Sequence, residues 1–171
     1  MNRVYKIKKA LKVPMVLAVV ISIPVFADVL TKGFDPKIFV TAASLILIFY
    51  LLTLNNILRK VKITDHSISI SGLFGTRHIK LDSVTSIDGM TMGSRQFITV
   101  STKKRNYLIS NSYDNFIGLI EDLSNIWGED QPTANLKYLH DNIIPRRSDI
   151  NGAWITVIIL LIINIIRFLP R

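Results

Sequence analysis

Val61-Lys62-Ile63-Thr64, Ser67-Ile68-Ser69-Ile70-Ser71 and Arg77-His78-Ile79-Lys80-Leu81 alternate polar and apolar residues. Ile, Val and Thr at a period of two are the signature of a half-buried strand, because successive side chains point to opposite faces. Val84-Thr85-Ser86-Ile87, Phe97-Ile98-Thr99-Val100 and Asn106–Ser110 continue the pattern, giving six expected strands. Gly72-Leu73-Phe74-Gly75 reads as a turn, Asp88–Gly93 as a longer loop, and Thr102–Asn106 as a polar turn. From Ser112, a candidate cap, the period changes. Tyr113, Phe116, Ile117, Ile120, Leu123 and Trp127 recur at three- and four-residue steps, with Glu121 and Asp122 on the other side and Gly128 at the end. Antiparallel strands closed by one amphipathic helix predict a small barrel or sandwich over residues 61–128.

Working outward, this stretch lies between apolar segments. Upstream, Val13–Leu30 has 18 residues, about 27 Å as a helix against a hydrocarbon core of about 30 Å. A basic start before an apolar run is also the layout of a signal peptide. Ile23-Pro24-Val25-Phe26-Ala27-Asp28 is a poor cleavage site, however, so the segment reads as a retained span. Pro14 is expected in its first turn and Pro24 at an interior kink. Thr31–Lys37 is a turn-rich loop, and Ile38–Leu54 is apolar apart from Thr41 and Ser44. The two runs predict a hairpin within residues 1–60. Downstream, residues 129–150 read as a linker in which Leu136, Leu139, Ile143 and Ile144 suggest a short helix. Ala153–Leu169, within residues 151–171, reads as a third span.

Charge follows this layout. The chain carries 21 Lys and Arg against 12 Asp and Glu, a formal +9. From Arg59 to Ile150 the balance is only +2, so most of the excess flanks the apolar runs. Lys8, Lys9, Lys12, Arg59, Lys60, Arg146 and Arg147 are the flanking basic residues, as the positive-inside rule produces. They place the N-terminus and the strand-rich domain on the cytoplasmic side of a cell (inner or plasma) membrane, with multiple passes. They argue against nucleic acid as the partner. The chain has no cysteine, which excludes disulfides and thiolate metal sites.

The phrases Ile63-Thr64-Asp65-His66-Ser67-Ile68-Ser69-Ile70 and Ile79-Lys80-Leu81-Asp82-Ser83-Val84-Thr85-Ser86-Ile87, with the terminal helix, resemble the bacterial pleckstrin-homology-like domains of small membrane proteins. The resemblance spans about 65 residues of strand and turn pattern. It implies two roughly orthogonal antiparallel sheets capped by the helix, seven strands rather than six, and no shared catalytic residues. The seventh strand is expected to be short or to lie within Gly89–Gln96. The fold class is therefore an α+β membrane protein: a transmembrane hairpin, a pleckstrin-homology-like module and a C-terminal transmembrane helix.

No catalytic or metal-binding constellation emerges. His66, His78 and His140 are not at ligand spacing, and Gly72–Gly75 lacks the Lys-Ser/Thr ending of a phosphate loop. Glu121-Asp122 reads as a solvated helix face and His78 as a solvent-facing strand residue. Lys103, Lys104 and Arg105 put three positive charges on one turn, a candidate contact for anionic lipid, with Arg77 and Lys80 on a strand elsewhere. An exposed sheet edge would also accept a partner's strand. The expected function is binding without catalysis or cofactor, at the lipid bilayer, through a protein partner, a homo-oligomer or anionic lipid. The alternatives are a small immunity or stress-protection membrane protein and an accessory subunit of a transporter or membrane enzyme.

Overall fold

The computed structural model describes residues 2–31, 35–127, 133–145 and 147–168. It is an α+β chain of two compact units, Met1–Lys8 with Leu58–Ser148 and Lys9–Ile57 with Asp149–Arg171.

The first unit holds seven antiparallel strands. β1 (Asn2–Lys6), β2 (Lys60–Thr64), β3 (Ser67–Gly72) and β4 (Gly75–Lys80) form one sheet in sequence order. β5 (Val84–Met92), β6 (Arg95–Thr102) and β7 (Asn106–Ser110) form the other. Two helices follow, α3 (Phe116–Trp127) and α4 (Ala134–Asp141). The alternation seen in the sequence sends Val61, Ile63, Ile68 and Ile79 inward from the first sheet. Ile87, Ile98, Val100 and Ile109 come from the second, and α3 adds Phe116, Leu119, Ile120 and Leu123. All twelve are at most 3% exposed, so they make one core. The sheets meet without closing a barrel; an isolated bridge joins Ile7 to Tyr113, and the Lys8 N–H donates to the Ser112 carbonyl (2.9 Å).

Four expectations need correction here. The seventh strand is β1, from the basic N-terminus, and not a segment of Gly89–Gln96. Arg3 and Tyr5 point to one face and Val4 and Lys6 to the other, and its five residues pair with β2 in unbroken register from Asn2↔Thr64 to Lys6↔Lys60. The basic N-terminus grouped with the hairpin over residues 1–60 is thus part of the sheet, and the hairpin lies in sequence between two paired strands. Second, Asp88–Gly93 is mostly strand: β5 runs through Gly89 to Met92, and the turn is tight, with Gly93 at φ +59°. Third, Ser112 does not cap α3. Asn115, at φ +49°, does so, its side-chain oxygen accepting from the Gly118 N–H (3.2 Å).

The fourth correction concerns Asp122, which is 1% exposed rather than solvated. Arg3 donates to its carboxylate (2.7 Å), and the Tyr5 hydroxyl bonds both to it and to the Gly118 carbonyl (2.8 Å). A buried carboxylate persists only when paired and hydrogen-bonded. Here two residues of the N-terminal strand supply the partners and fasten β1 to α3. Burial, then the Asp122 contact, pushes the Tyr5 phenol up to about 12. Glu121, beside it, is exposed.

The segment expected as a linker is also part of this unit. Thr133 caps α4 by accepting from the Leu136 N–H (3.3 Å), and its hydroxyl donates to Asp88 (2.7 Å). Leu136 and Leu139 are 1% exposed. Gly89 on β5 is the reason the helix fits, since a Cβ there would stand 2.6 Å from the Asn135 carbonyl oxygen and from Leu139 Cδ1. Beyond α4, buried Gln96 donates to the Asn142 carbonyl (2.6 Å) and accepts from the Ile144 N–H (2.9 Å), while Asn111 donates to the Ile144 carbonyl (3.1 Å). These bonds give the buried side-chain amides of Gln96 and Asn111 backbone partners in a segment that no helix or strand pairs.

The second unit is built from α1 (Lys9–Thr31), α2 (Pro36–Leu58) and α5 (Arg147–Phe168), each long and apolar enough to cross a membrane, with the helix-end residues Leu58, Arg147 and Ser148 falling in the first unit. α1 begins before the apolar run, so Pro14 lies inside it rather than in its first turn. Asp35 opens α2, its carboxylate accepting from the Lys37 N–H (2.8 Å), with Pro36 at the first helical position. Thr41 and Ser44 return their hydroxyls to the Lys37 and Val40 carbonyls (2.8 Å each). Polar contacts join the helices. The Ser22 hydroxyl donates to the Val19 carbonyl (2.8 Å), so its partner Tyr50 (3.0 Å) is the donor between them. Asn164 donates to the Ile21 carbonyl (3.1 Å), in the turn that Pro24 disrupts. Arg167 reaches the Pro24 carbonyl and pairs with Asp28 (2.9 Å).

Candidate anionic-surface interface

Strand register decides which charges share a face. Across the four-stranded sheet the pairs Lys6↔Lys60, Lys60↔Ser71 and Ser71↔Thr76 make one row. Val4, Lys62, Ser69 and His78 make the next, and Asn2, Thr64, Ser67 and Lys80 the third. These are the residues that alternate with the buried Val61, Ile63, Ile68 and Ile79, so all three rows lie on the outer face, where Ser69, between Lys62 and His78, is the one buried side chain. The face holds Lys6, Lys60, Lys62, Lys80 and His78, all exposed, among five hydroxyl side chains, with no carboxylate.

Lys6 and Lys60 are direct cross-strand partners, which places their Cβ atoms about 5 Å apart, and Lys62 is about 7 Å further along β2. Like charges facing each other across a ladder destabilise it. No carboxylate among the described residues pairs with any of the four lysines. The third row turns on Thr64 and Ser67, whose hydroxyls bond each other (2.8 Å), and in the second Ser69 bonds His78 Nδ1 (2.9 Å). The result is a flat array of ammonium groups above hydroxyls, suited to phosphate or carboxylate oxygens.

The residues singled out from sequence are distributed differently. Lys103, Lys104 and Arg105 are exposed at the β6–β7 turn. Thr102 donates from N–H and hydroxyl to the Arg105 carbonyl (2.9 and 2.8 Å), and its hydroxyl accepts from the Arg105 N–H (3.1 Å). That turn is separate from the lysine face. Arg77 belongs to the inner-face register, opposite Ile70, and its side chain is exposed at the sheet's edge strand. Of the basic flank, Lys60 is on the face. Lys8 and Arg59 are half-buried beside it in sequence, Lys9 and Lys12 are exposed on α1, and Arg147 is the exposed first residue of α5. Arg146 lies outside the described residues.

Lys6, Lys62 and Lys80 gain their importance only from the register. The available signal was Lys60-x-Lys62, a strand spacing that puts both on one side. Among the described residues no three His, Asp or Glu side chains gather as metal ligands. The nearest approach is His140, whose ring meets Asp141 (3.1 Å) and Glu121 (3.5 Å), and the Asp141 hydrogen bond raises its pKa above the ordinary value. No protein-family model, curated protein or solved structure matches the chain.

Proposed function

We propose that this chain is a multi-pass protein of the bacterial inner membrane whose soluble unit is a cytoplasmic, pleckstrin-homology-like binding module. The succession of four strands, three strands and a helix supports that fold reading. The basic residues beside the ends of α1, α2 and α5 that join the soluble unit support the orientation. The module acts by binding, and its ligand is the phosphate-bearing headgroup of an anionic lipid.

One observation carries this reading: four lysines share one sheet face without a carboxylate. Each Lys near an anionic membrane contributes about 1 kcal/mol. Lys6, Lys60 and Lys62 together therefore supply about 3 kcal/mol, on the order of 100-fold in affinity. The test is retention of anionic against zwitterionic lipid by the purified full chain in detergent, followed by native mass spectrometry. The unmodified chain is expected to retain anionic lipid selectively, and Lys6→Gln/Lys60→Gln/Lys62→Gln to lose most of that selectivity. Equal selectivity in the two proteins would refute the assignment of the face. Selectivity lost instead on changing Lys103, Lys104 and Arg105 would move the site to the β6–β7 turn.

A further inference from the structure

The turns of the soluble unit differ in polarity according to the end of the unit they occupy. The last pair of β1 and β2 is Lys6↔Lys60, and the turn of Gly72–Gly75 projects beyond the same row. The chain leaves that row toward α1 through Ile7 and Lys8, and returns from α2 through Arg59. On the other sheet, the β5–β6 turn places Ser94 Oγ 3.0 Å from Ser148 Oγ, in the first turn of α5. The Lys8–Ser112 bond joins the two sheets at this end, because the residues after β7 follow the pair Phe97↔Ser110. All three connections to the apolar helices thus leave one end of the soluble unit, and two hairpin turns share it.

Phe74 stands at the tip of the first turn, and Met92 is the last residue of β5, leading into Gly93-Ser94. Phe74 is 73% exposed and Met92 61% exposed, the first in a turn closed by Gly75 at φ +117°, a conformation that favours glycine. At the opposite end the turns read Asp65-His66 and Lys103-Lys104-Arg105. Leu108, Ile117 and Tyr138 are also exposed, but on strand or helix faces, whereas Phe74 and Met92 stand beside hairpin turns at the end from which the chain leaves for the apolar helices. Between Lys6 and the first residue of α1 there are three residue steps, at most about 10 Å of chain.

We infer that the Gly72–Gly75 and Met92–Arg95 turns dip into the interfacial zone of the bilayer, with Phe74 and Met92 as wedges. Phe74 sits there as Phe does on the buried face of interfacial segments, at the boundary of headgroups and acyl chains. The pair sets the soluble unit's tilt, so that the lysine face is held beside the headgroups. This rests on the reading of the three helices as spans.

The chain has no cysteine, so single labels can be placed without background. Full-length Phe74→Cys, Met92→Cys, Lys104→Cys and Ile159→Cys would each carry an environment-sensitive fluorophore in liposomes containing nitroxide-labelled lipids. Ile159 lies in the middle of α5, and both turn positions are exposed, so the label displaces no core side chain. The expected result is blue-shifted, shallowly quenched emission at 74 and 92, deep quenching at 159 and water-like emission at 104. Water-like emission at 74 and 92 with deep quenching at 159 would overturn the inference and leave the spans intact. Water-like emission at 159 would overturn the spans, and the inference with them.

Discussion

Tyr5→Phe removes one oxygen atom, and the structure says what that atom holds. The phenol bonds to the Asp122 carboxylate and to the Gly118 carbonyl, both on α3. A hydrogen bond to a charged group contributes about 1.5–3 kcal/mol, and a neutral one about 1 kcal/mol. One proton serves both acceptors, so the two figures do not add, and about 2 kcal/mol is the expected loss. Asp122 keeps only Arg3, whose side chain is 59% exposed and therefore well screened. A loss of about 2 kcal/mol raises the open population of β1 on the order of 30-fold. Hydrogen exchange of the full chain in nanodiscs, read by mass spectrometry, reports that opening. Amides of β1 and the middle of α3 should exchange faster by that factor, with β6 least affected. Asp122→Asn in the Tyr5→Phe background should add less than it does alone, since the two residues share the interaction. Exchange of β1 in Tyr5→Phe within about twofold of the unmodified chain would refute the claim that this cluster fastens the N-terminal strand.

Three further outcomes follow from other sites. Gly89→Ala should cost about 1–3 kcal/mol by overpacking, because the new Cβ meets a backbone oxygen of α4 that cannot yield alone; loss of exchange protection over Ala134–Asp141 would show it. The docking of α4 should also depend on pH from both sides. The Thr133 hydroxyl holds Asp88 below its ordinary 3.8, so that contribution is present above 3.8 and lost as pH falls through the depressed value. Asp141, its neighbour on α4, holds His140 above its ordinary 6.5, and Glu121 on α3 adds to it; only the Glu121 contact reaches another element, and it is present below 6.5 and lost as pH rises through the raised value. After correction for intrinsic exchange rates, protection of α4 should be greatest between these limits, and a flat profile would exclude both contacts. Finally, Asn164→Leu removes the bond to the Ile21 carbonyl, worth about 1 kcal/mol or less between membrane helices. It also removes a buried side-chain oxygen with no partner among the described residues. The midpoint of α1–α5 separation in denaturing detergent should fall only slightly.

Much of this architecture is legible from local pattern. Period-two alternation marked the strands over residues 61–110, helical period marked α3, and unbroken apolar length marked the three long helices, since each reflects a face or cylinder removed from water. Turn residues placed Gly72–Gly75 and the Lys103–Arg105 turn. By contrast, Asn2–Lys6 looks the same in sequence whether it is a basic flank or an edge strand. Only pairing with β2, more than fifty residues away, distinguishes the two.

The same holds for the candidate site. Sequence alone determined that the chain has apolar helices at both ends, a strand-rich middle without cysteine, and basic charge at the junctions. Those properties depend on composition and on neighbours within a few residues. Tertiary structure alone decided that Lys6 stands opposite Lys60, that Asp122 is buried beneath Arg3 and Tyr5, and that Phe74 and Met92 share an end with the three chain connections. Each of these depends on register between distant segments, and a shift of one residue would have sent every side chain to the other face.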